Sequence, residues 1–248
     1  LKTGPNMKAD KDSTAQVIKA LAINVMTLAN NHILDYDEQG LEDTLAFCKE
    51  QGIQTVGAGR NLEEASKTLF IDAKEGKIAL VNFAENEWAS ATFNTAGAHP
   101  MDLIDNVKKI KEAKEVADFV FVIVHGGHEY YKLPSPRMQK QYRFYAEQGA
   151  DLVVGHHTHC INGHETHQGV PIFYSLGNFL FTEHCNDEDW YTGLILEVEI
   201  SKGKISSFLH PVRQQKGDFR LSLLEGKEKE EILHRIMALN AIIGDKTK

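Results

Sequence analysis

The sequence predicts an α/β protein. Amphipathic helical segments alternate with short apolar segments through the first part of the chain, which is the pattern of a sheet whose strands are joined by helices. Residues 119–124 form a continuous apolar run between charged residues and glycines, which is typical of a strand buried on both faces. After residue 155 helical patterns become rare, and strands joined by tight turns predict a mostly antiparallel part.

Capping and turn residues set the order of the predicted elements. Asp12 or Ser13 is expected to cap a first helix that runs to about Leu21, and Gly52 ends the second helix. Further helices are predicted over about 62–66, 102–116, 136–148 and 227–243, and the second covers 38–51. Strands are predicted over about 23–28, 53–56, 69–73, 77–83, 119–124, 151–154, 170–175, 192–200 and 204–212.

The composition limits the possible classes of protein. No linker rich in proline or glycine divides the chain, so residues 1–248 are interpreted as a single domain whose second sheet packs on the first. The formal net charge is −8 without a block of lysine and arginine, which argues against a nucleic-acid partner. No run approaches the roughly 18 consecutive apolar residues of a membrane-spanning helix.

Histidines are concentrated in one part of the chain. Seven of the twelve lie between His125 and His167, and the densest run is Gly155-His156-His157-Thr158-His159, directly after the predicted strand 151–154. Imidazole is both a metal ligand and a proton carrier near neutral pH. We therefore expect chemistry at this strand end. His164 and His167 alternate along a predicted outer strand and are expected to face solvent.

Four polar clusters follow predicted strands. They are Asn30-Asn31-His32, His125-Gly126-Gly127-His128-Glu129, the 155–159 run, and Gly177-Asn178. A lone histidine at a strand end is more often a hydrogen-bonded structural residue than a ligand. Because the carboxyl ends of neighbouring parallel strands meet at one edge of a sheet, the four clusters together favour a metal site built from an asparagine oxygen and several imidazoles.

Several motifs, in their order along the chain, resemble a known family. They are Leu28-Ala29-Asn30-Asn31-His32 through Asp35, Gly57-Ala58-Gly59-Arg60-Asn61, Gly155-His156-His157-Thr158-His159, and Tyr174-Ser175-Leu176-Gly177-Asn178-Phe179. This order resembles the CapA family of capsule-synthesis proteins, which is linked to poly-γ-glutamate biosynthesis and related to calcineurin-like metallophosphoesterases. The resemblance implies a calcineurin-like two-sheet α/β sandwich with flanking helices and a dimetal site between loops.

The resemblance also implies roles for particular residues. Asn31, His125, His157 and His159 would hold divalent metal ions such as manganese, zinc or iron, since amide oxygen and imidazole suit these ions. His32 would act as the general acid, or it would hydrogen-bond the loop in support of the metal ligands. Two metal ions can generate hydroxide and hold the phosphoryl oxygens of an in-line displacement.

Four further residues are candidates for binding substrate or supporting the metal ligands. Asp35 could orient His32, although making the local turn is its favoured role. Glu129 could hydrogen-bond a ligating imidazole or bind a cationic group. Arg60 could reach an anionic substrate with its planar guanidinium, or lie at the surface. Asn178 is the fourth candidate, either for binding substrate or for supporting a metal ligand.

The sequence departs from the family pattern before Asn31. The resemblance implies a first strand and two acidic motifs there, and this sequence begins too late to contain them. Asp10 and Asp12 lie in a lysine-rich stretch with no strand before them and are poor substitutes. We therefore expect an N-terminally truncated fold without its first strand. We also expect partial metal occupancy, because neutral imidazoles and an amide bind a second metal weakly.

The resemblance favours a protein of capsule or poly-γ-glutamate biosynthesis that hydrolyses a phosphoester with the help of metal ions. Two alternatives stay open: a non-catalytic module that binds anionic polymer during capsule synthesis or export, and a metal-dependent amidohydrolase acting on γ-glutamyl bonds. The expected partners are an anionic polymer or phosphoester substrate and a membrane-bound capsule synthesis machinery. The family implies a location on the extracytoplasmic, cell-surface side of a bacterial membrane.

Overall fold

The structure is a computed structural model that describes residues 4–181 and 184–244. The chain divides into two compact units. The first comprises the residues up to 72 together with residues 77–125, and the second comprises residues 73–76 together with the residues from 126 onward. Both units combine strands with helices, which confirms the predicted α/β class. The interpretation as a single domain stays a prediction. In the described ranges no helix is long and apolar enough to cross a bilayer.

The first unit is built around parallel strand pairs. In chain order it contains α1 (Lys11–Ala20), β1 (Val25–Thr27), α2 (Asp37–Glu50), β2 (Gln54–Val56), β3 (Ala58–Gly59), α3 (Leu62–Ala65), β4 (Leu69–Ala73), β5 (Gly76–Ala84), β6 (Gly97–Ala98), α4 (Leu103–Val116) and β7 (Phe119–His125). Strand β1 pairs in parallel with β2, and β5 with β7, whereas β3 and β6 are antiparallel. Each parallel pair is joined through a helix, as a crossover connection requires.

Strand β7 forms the centre of this unit's core. Val120, Val122 and Val124 are fully buried on one face, while Phe121 and Ile123 on the opposite face are partly buried. Strand β5 pairs with all seven residues of β7, from Phe119 to His125. Because the two strands run in parallel, the last residue of β7 lies at their common carboxyl end, where the sequence predicts a polar cluster.

Helix α1 begins earlier than predicted. Its N-cap is Asp10 rather than Asp12 or Ser13, because the Asp10 carboxylate accepts a hydrogen bond from the Ser13 backbone N–H at 2.8 Å. All three are residue types that cap helices, so the sequence alone does not select among them. Asp12 instead lies in the first turn, where its negative charge is favourable beside the helix dipole.

The second unit contains a mixed sheet and an antiparallel sheet. Its elements are α5 (Pro136–Glu147), β8 (Leu152–His156), β9 (His164–His167), β10 (Val170–Phe173), a 3₁₀ helix (Glu188–Tyr191), β11 (Thr192–Ser201), β12 (Lys204–Gln214), β13 (Leu221–Leu223) and α6 (Gly226–Gly244). Strand β10 pairs with β8 in parallel and with β9 antiparallel. Strands β11, β12 and β13 form the antiparallel sheet. Helix α6, predicted over 227–243, packs Ile232 and Ile236 into a core cluster with Leu194 of β11.

The prediction that His164 faces solvent is wrong. It lies on β9, but its ring stacks on Phe173 with centroids 5.0 Å apart, and burial lowers the pKa of the imidazole. Its backbone N–H donates to Asn240 of α6, so this helix covers part of the predicted outer strand. His167 is half-buried and contacts Glu147 at 2.8 Å. The helix that covers His164 lies more than 70 residues away in the chain. Periodicity within the strand cannot reveal such a contact.

Candidate functional site

In the first unit, two of the predicted metal ligands contact each other. Asn31 lies in the loop after β1, and His125 is the last residue of β7. The distance between Asn31 Oδ1 and His125 Nε2 is 3.1 Å, although the residues are 94 positions apart in the chain. The carboxyl ends of separate strands thus bring an amide and an imidazole together, as the sequence predicts for this unit.

Asn82, which the sequence analysis did not single out, holds these two segments in place. This buried residue of β5 accepts a hydrogen bond at Oδ1 from the Ala29 backbone N–H at 2.9 Å. Its Nδ2 donates to the Ile123 carbonyl of β7 at 3.0 Å. Asn82 therefore ties the loop that carries Asn31 to β7. An asparagine inside an otherwise apolar strand was the signal, because buried amides need specific partners.

Gly57, the first glycine of the second family-like motif, makes room for this amide. A Cβ atom at this position would lie 2.0 Å from Asn82 Oδ1 and 2.9 Å from Ala29 Cβ. The backbone φ of Gly57 is +97°, a conformation that side chains rarely adopt. The glycine is therefore required by the hydrogen bond that anchors the loop before Asn31.

His32 and Asp35 form a second pair in the first unit. His32 Nδ1 lies 2.8 Å from Asp35 Oδ2, and the carboxylate is almost fully buried while the ring is about one-third exposed. The Asp35 backbone N–H also donates to the His32 carbonyl at 3.0 Å. Asp35 thus makes the turn, its favoured role, and also contacts the ring. With Nδ1–H directed at the carboxylate, Nε2 carries the lone pair of this ring.

Arg60 is committed to a neighbouring carboxylate. Its Nε donates to Glu64 Oε2 at 2.9 Å, and its Nη2 donates to Glu64 Oε1 at 2.5 Å. These contacts with Arg60 lower the pKa of Glu64 to about 2, so the pair is charged at neutral pH. The prediction that Arg60 reaches an anionic substrate therefore requires this pair to open.

In the second unit, His157 and His159 have unusual backbone conformations. Their φ angles are +94° and +56°, in the left-handed region, on either side of the buried Thr158. Residues other than glycine occupy this region at a cost, and such strain is concentrated at functional sites. The loop is held by the Tyr130 backbone N–H, which donates to the Thr158 carbonyl at 2.8 Å.

Glu129 lies beside both of these histidines. Its Oε1 is 3.9 Å from His157 Nε2 and 4.0 Å from His159 Nε2. Both distances exceed hydrogen-bond length, so the predicted hydrogen bond from Glu129 to a ligating imidazole is not formed in this geometry. Both Nε2 atoms nevertheless lie within about 4 Å of the same carboxylate oxygen.

Asn178 fixes the tautomer of His159. Its Nδ2 donates to the Trp190 carbonyl at 3.0 Å, which sets the orientation of the amide, and its Oδ1 lies 2.9 Å from His159 Nδ1. Because an amide oxygen only accepts, Nδ1 carries the hydrogen and Nε2 carries the lone pair. Gly193 of β11 stands directly behind Asn178, since a Cβ atom there would lie 2.0 Å from the Asn178 carbonyl oxygen.

Aromatic side chains surround His159, and the sequence analysis did not identify them. The ring of Trp190 stacks on His159 with centroids 4.7 Å apart, and Phe181 meets the same imidazole edge-on at 5.2 Å. Tyr130 lies nearly parallel to both Trp190 and His159, at 6.1 and 6.0 Å. These contacts join residues far apart in the chain, so local patterns carry no signal for them.

The donor atoms of both units suit a divalent metal ion in type. The 3.1 Å between Asn31 Oδ1 and His125 Nε2 is a hydrogen-bond distance. It also lies between the separations of about 3.0 and 3.4 Å that two ligands about 2.1 Å from one ion have at octahedral and tetrahedral angles. Around Glu129, the distances of 3.9 and 4.0 Å exceed the roughly 3.4 Å of tetrahedral ligands, so small side-chain rotations would be needed. Within residues 4–181 and 184–244, no group of three or more histidine, cysteine, aspartate or glutamate side chains already has the spacing of a metal site.

Fold and site together define an α/β protein whose imidazoles, with amide and carboxylate partners, lie at or just after the ends of strands. Residues 1–183 match the family described as bacterial capsule synthesis protein PGA_cap, and the chain belongs to this family. The resemblance to capsule-synthesis proteins is therefore confirmed.

Known relatives and one solved structure are consistent with this membership. The chain is 37% identical over 188 residues to "PGA biosynthesis protein CapA" of Bacillus subtilis (strain 168), covering 75% of this chain and 48% of the relative. It is 34% identical over 186 residues to "Capsule biosynthesis protein CapA" of Bacillus anthracis, covering 73% and 44%. The chain thus spans about half the length of these curated relatives. Its fold resembles that of a hypothetical protein from Thermus thermophilus, with a TM-score of 0.52 and 14% identity over 80% of this chain and 81% of the other.

Proposed function

We propose that this chain carries out metal-dependent hydrolysis of a phosphoester in bacterial capsule or poly-γ-glutamate biosynthesis, on the extracytoplasmic side of the membrane. Family membership supports the biological setting. The observation that carries the chemistry is the tautomer of His159, which leaves the lone pair on Nε2. This atom and His157 Nε2 lie 4.0 and 3.9 Å from one Glu129 oxygen.

The proposed metal ligands are residues that each unit already holds near one another. His157, His159 and Glu129 would bind a divalent ion in the second unit, and Asn31 and His125 supply donors in the first. Manganese, zinc and iron suit these donors. When bound, the metal supplies a nucleophilic hydroxide at neutral pH and neutralises charge on the phosphoryl oxygens.

His32 is the proposed proton donor. In hydrolysis, an oxygen from water forms a bond to phosphorus, the ester P–O bond breaks, and the leaving oxygen takes up a proton. His32 Nε2 would provide that proton, because Asp35 accepts the Nδ1–H at 2.8 Å and stabilises the protonated ring before the transfer.

Asn178 is proposed to support the metal ligand rather than to bind substrate. Its oxygen accepts the Nδ1–H of His159, and its own amide is held by the Trp190 carbonyl. A hydrogen bond at the far nitrogen of a ligating histidine keeps the ring oriented and raises its basicity.

The test measures metal content and hydrolysis on the same protein samples. The purified chain is dialysed against Mn²⁺ or Zn²⁺, analysed for metal, and assayed with bis(p-nitrophenyl) phosphate with and without a chelator. We expect bound metal and chelator-sensitive hydrolysis. His159→Gln should lower both by about 10-fold or more, because it removes the Nε2 ligand. His128→Gln, on the exposed part of the same polar cluster as Glu129, is the matched control.

Two outcomes would reject this proposal. Metal-free protein with undiminished hydrolysis would exclude the metal, and equal losses in His159→Gln and His128→Gln would exclude the assigned ligand. Release of glutamate from a γ-glutamyl peptide, without phosphoester hydrolysis, would select the amidohydrolase alternative instead.

A non-catalytic role is the second candidate, and one observation favours it. Asn31 and His125 contact each other directly, so this pair is held together without a metal ion. A module that only binds anionic polymer would retain poly-γ-glutamate in equilibrium binding without hydrolysing any ester. Binding that persists unchanged after metal removal, together with no hydrolysis, would favour this candidate.

A further inference from the structure

Asp189, in the 3₁₀ helix, links three segments of the second unit. Its carboxylate contacts Lys132 Nζ in the segment before α5 and Arg235 Nη1 in α6, the latter at 2.5 Å. The Asp189 side chain is only 14% exposed. Burial raises the pKa of this carboxyl, but the contacts with Lys132 and Arg235 outweigh burial and lower the pKa overall. Asp189 is therefore charged and held from two sides at neutral pH.

The residues next to these contacts are the aromatic rings around His159. Trp190 directly follows Asp189, and Tyr130 lies two positions before Lys132. Trp190 is 6% exposed, stacks on the imidazole at 4.7 Å, and accepts the hydrogen bond that fixes Asn178 through its carbonyl. A carboxylate that fixes the backbone at 189 and the segment at 132 therefore also fixes both aromatic rings.

We propose that Asp189 is a positioning residue that keeps Trp190 stacked on His159 and thereby orients this imidazole for a divalent ion. The orientation for metal rests on the proposed function, whereas the stacking does not. Asp189 and its partner Arg235 lie beyond residue 183, where the match to the capsule-synthesis family ends. The segment after the matched region thus contributes to the proposed metal site.

The charges around Asp189 explain why one carboxylate can have this effect. Arg235 Nε is buried, and none of the residues that the structure describes accepts a hydrogen bond from it. The Arg235 side chain is 33% exposed, and its charge is paired with Asp189. Without this carboxylate, the long side chain can turn its guanidinium outward into solvent. Movement of Arg235 and Lys132 would release the 3₁₀ helix that carries Trp190.

The experiment compares Asp189→Asn with Glu188→Gln. Glu188 is the preceding residue, is 83% exposed, and pairs with Lys216 instead, so its variant removes the same charge without touching the contacts of Asp189. NMR of the metal-free protein follows the ring protons of His159, which the stacked Trp190 shifts upfield. Calorimetric titration with Co²⁺ then measures metal affinity. Both variants are first checked for folding by circular dichroism.

We expect Asp189→Asn to move the His159 ring signals toward those of an unstacked histidine. It should also weaken Co²⁺ binding by about 10- to 100-fold, the usual effect of removing a group that supports a metal ligand. Glu188→Gln should change neither quantity. If Asp189→Asn does not fold, Lys132→Gln removes one arm at a half-exposed position and should give a smaller change of the same kind.

Unchanged ring signals in folded Asp189→Asn, or equal changes in Glu188→Gln, would overturn the positioning role. If the unsubstituted protein binds no Co²⁺, the proposed function fails, but the NMR comparison still decides whether Asp189 maintains the stacking. Loss of stacking without loss of Co²⁺ affinity would reject the link to metal binding.

Discussion

Two histidines of the densest histidine run hold conformations that their residue type disfavours. A left-handed backbone costs about 1–2 kcal/mol for a residue with a Cβ atom. His157 and His159 both have such a backbone, so the loop bears this cost at two of three consecutive residues. The surrounding contacts, including the bond from Tyr130 to the Thr158 carbonyl, maintain the conformation. Strain of this kind indicates that positions 157 and 159 are histidine because of where the imidazoles are placed, and not because histidine stabilises the loop.

The strain at His157 can be measured by comparing two substitutions. We expect His157→Gly to be more stable than His157→Ala by about 1 kcal/mol, because glycine adopts φ of +94° without a Cβ clash. Urea unfolding of both variants measures the difference. Both lose the imidazole, so the comparison isolates the backbone. An alanine variant at least as stable as the glycine variant would show that the loop relaxes to a different conformation.

His99 makes folding stability depend on pH. It is 2% exposed, its Nδ1 lies 3.0 Å from the Asn82 carbonyl, and burial lowers the pKa of the imidazole to about 4. The unfolded chain has the ordinary histidine pKa of about 6.5. Below that pH the unfolded state takes up a proton that the folded state does not. The contribution of neutral His99 to the free energy of unfolding is therefore fully present above about pH 6.5 and is lost as the pH falls toward 4.

We expect this single group to lower the free energy of unfolding by about 2 kcal/mol between about pH 7 and pH 5. Urea unfolding at several pH values gives the slope, and His99→Asn should reduce it. His234→Asn, at an exposed position of α6, serves as the control. Equal slopes for the unsubstituted protein and His99→Asn would mean that His99 is not the group responsible.

Between elements, single side chains determine how loops meet strands. Asn82 joins the loop after β1 to β7 across 53 and 41 residues of sequence. Its two bonds go to a backbone donor, the Ala29 N–H, and to a backbone acceptor, the Ile123 carbonyl. Buried polar groups without partners are costly, so Asn82 contributes to stability and to the position of Asn31 together.

Replacing Asn82 should affect both properties. We expect Asn82→Ala to lower the free energy of unfolding by about 2–4 kcal/mol, because it leaves the Ala29 N–H and the Ile123 carbonyl without the bonds seen here. Chemical denaturation measures the change. Asn94→Ala, in an exposed loop of the same unit, is the control and should shift stability by less than about 0.5 kcal/mol. A loss in Asn82→Ala no larger than in the control would contradict the anchoring role.

The boundaries of most elements could be predicted because they depend on local signals. Helix α4 follows its N-cap Asp102, α5 follows Ser135, and the long hairpin turns at Lys202-Gly203 as its sequence indicates. The short strands β3 and β6 were not predicted, since two residues show no periodicity. Their pairing depends on contacts between positions about 40 residues apart.

Across the whole chain, the sequence identified residue types better than their partners. The pairing of Asn31 with His125 followed from strand-end topology. The sequence did not predict the aromatic rings around His159 or the contacts of the Asp189 carboxylate. Ring stacking and ion pairs of this kind depend on tertiary packing, which periodicity does not encode. The resemblance to a family located the histidines, while the structure supplied the groups that hold them.

Metal binding should stabilise the folded chain as a whole. An ion that binds only the folded state, at about 100 times its dissociation constant, adds about 2.7 kcal/mol. We therefore expect Mn²⁺ or Zn²⁺ to raise the melting temperature in thermal unfolding monitored by circular dichroism. His159→Gln should lose most of the increase, whereas His128→Gln should keep it. The same increase in all three proteins would indicate binding at the surface rather than at the proposed ligands.

Gly193 offers a way to disturb the support of His159 without substituting any histidine. A methyl group there would lie 2.0 Å from the backbone carbonyl oxygen of Asn178, while every histidine side chain stays in the sequence. Gly193→Ala should therefore displace the backbone at Asn178 and lower both the stability and the metal content of the protein. Gly244→Ala, which meets only open space, should change neither. Comparing the two variants would show which effects of the chain depend on the proposed metal.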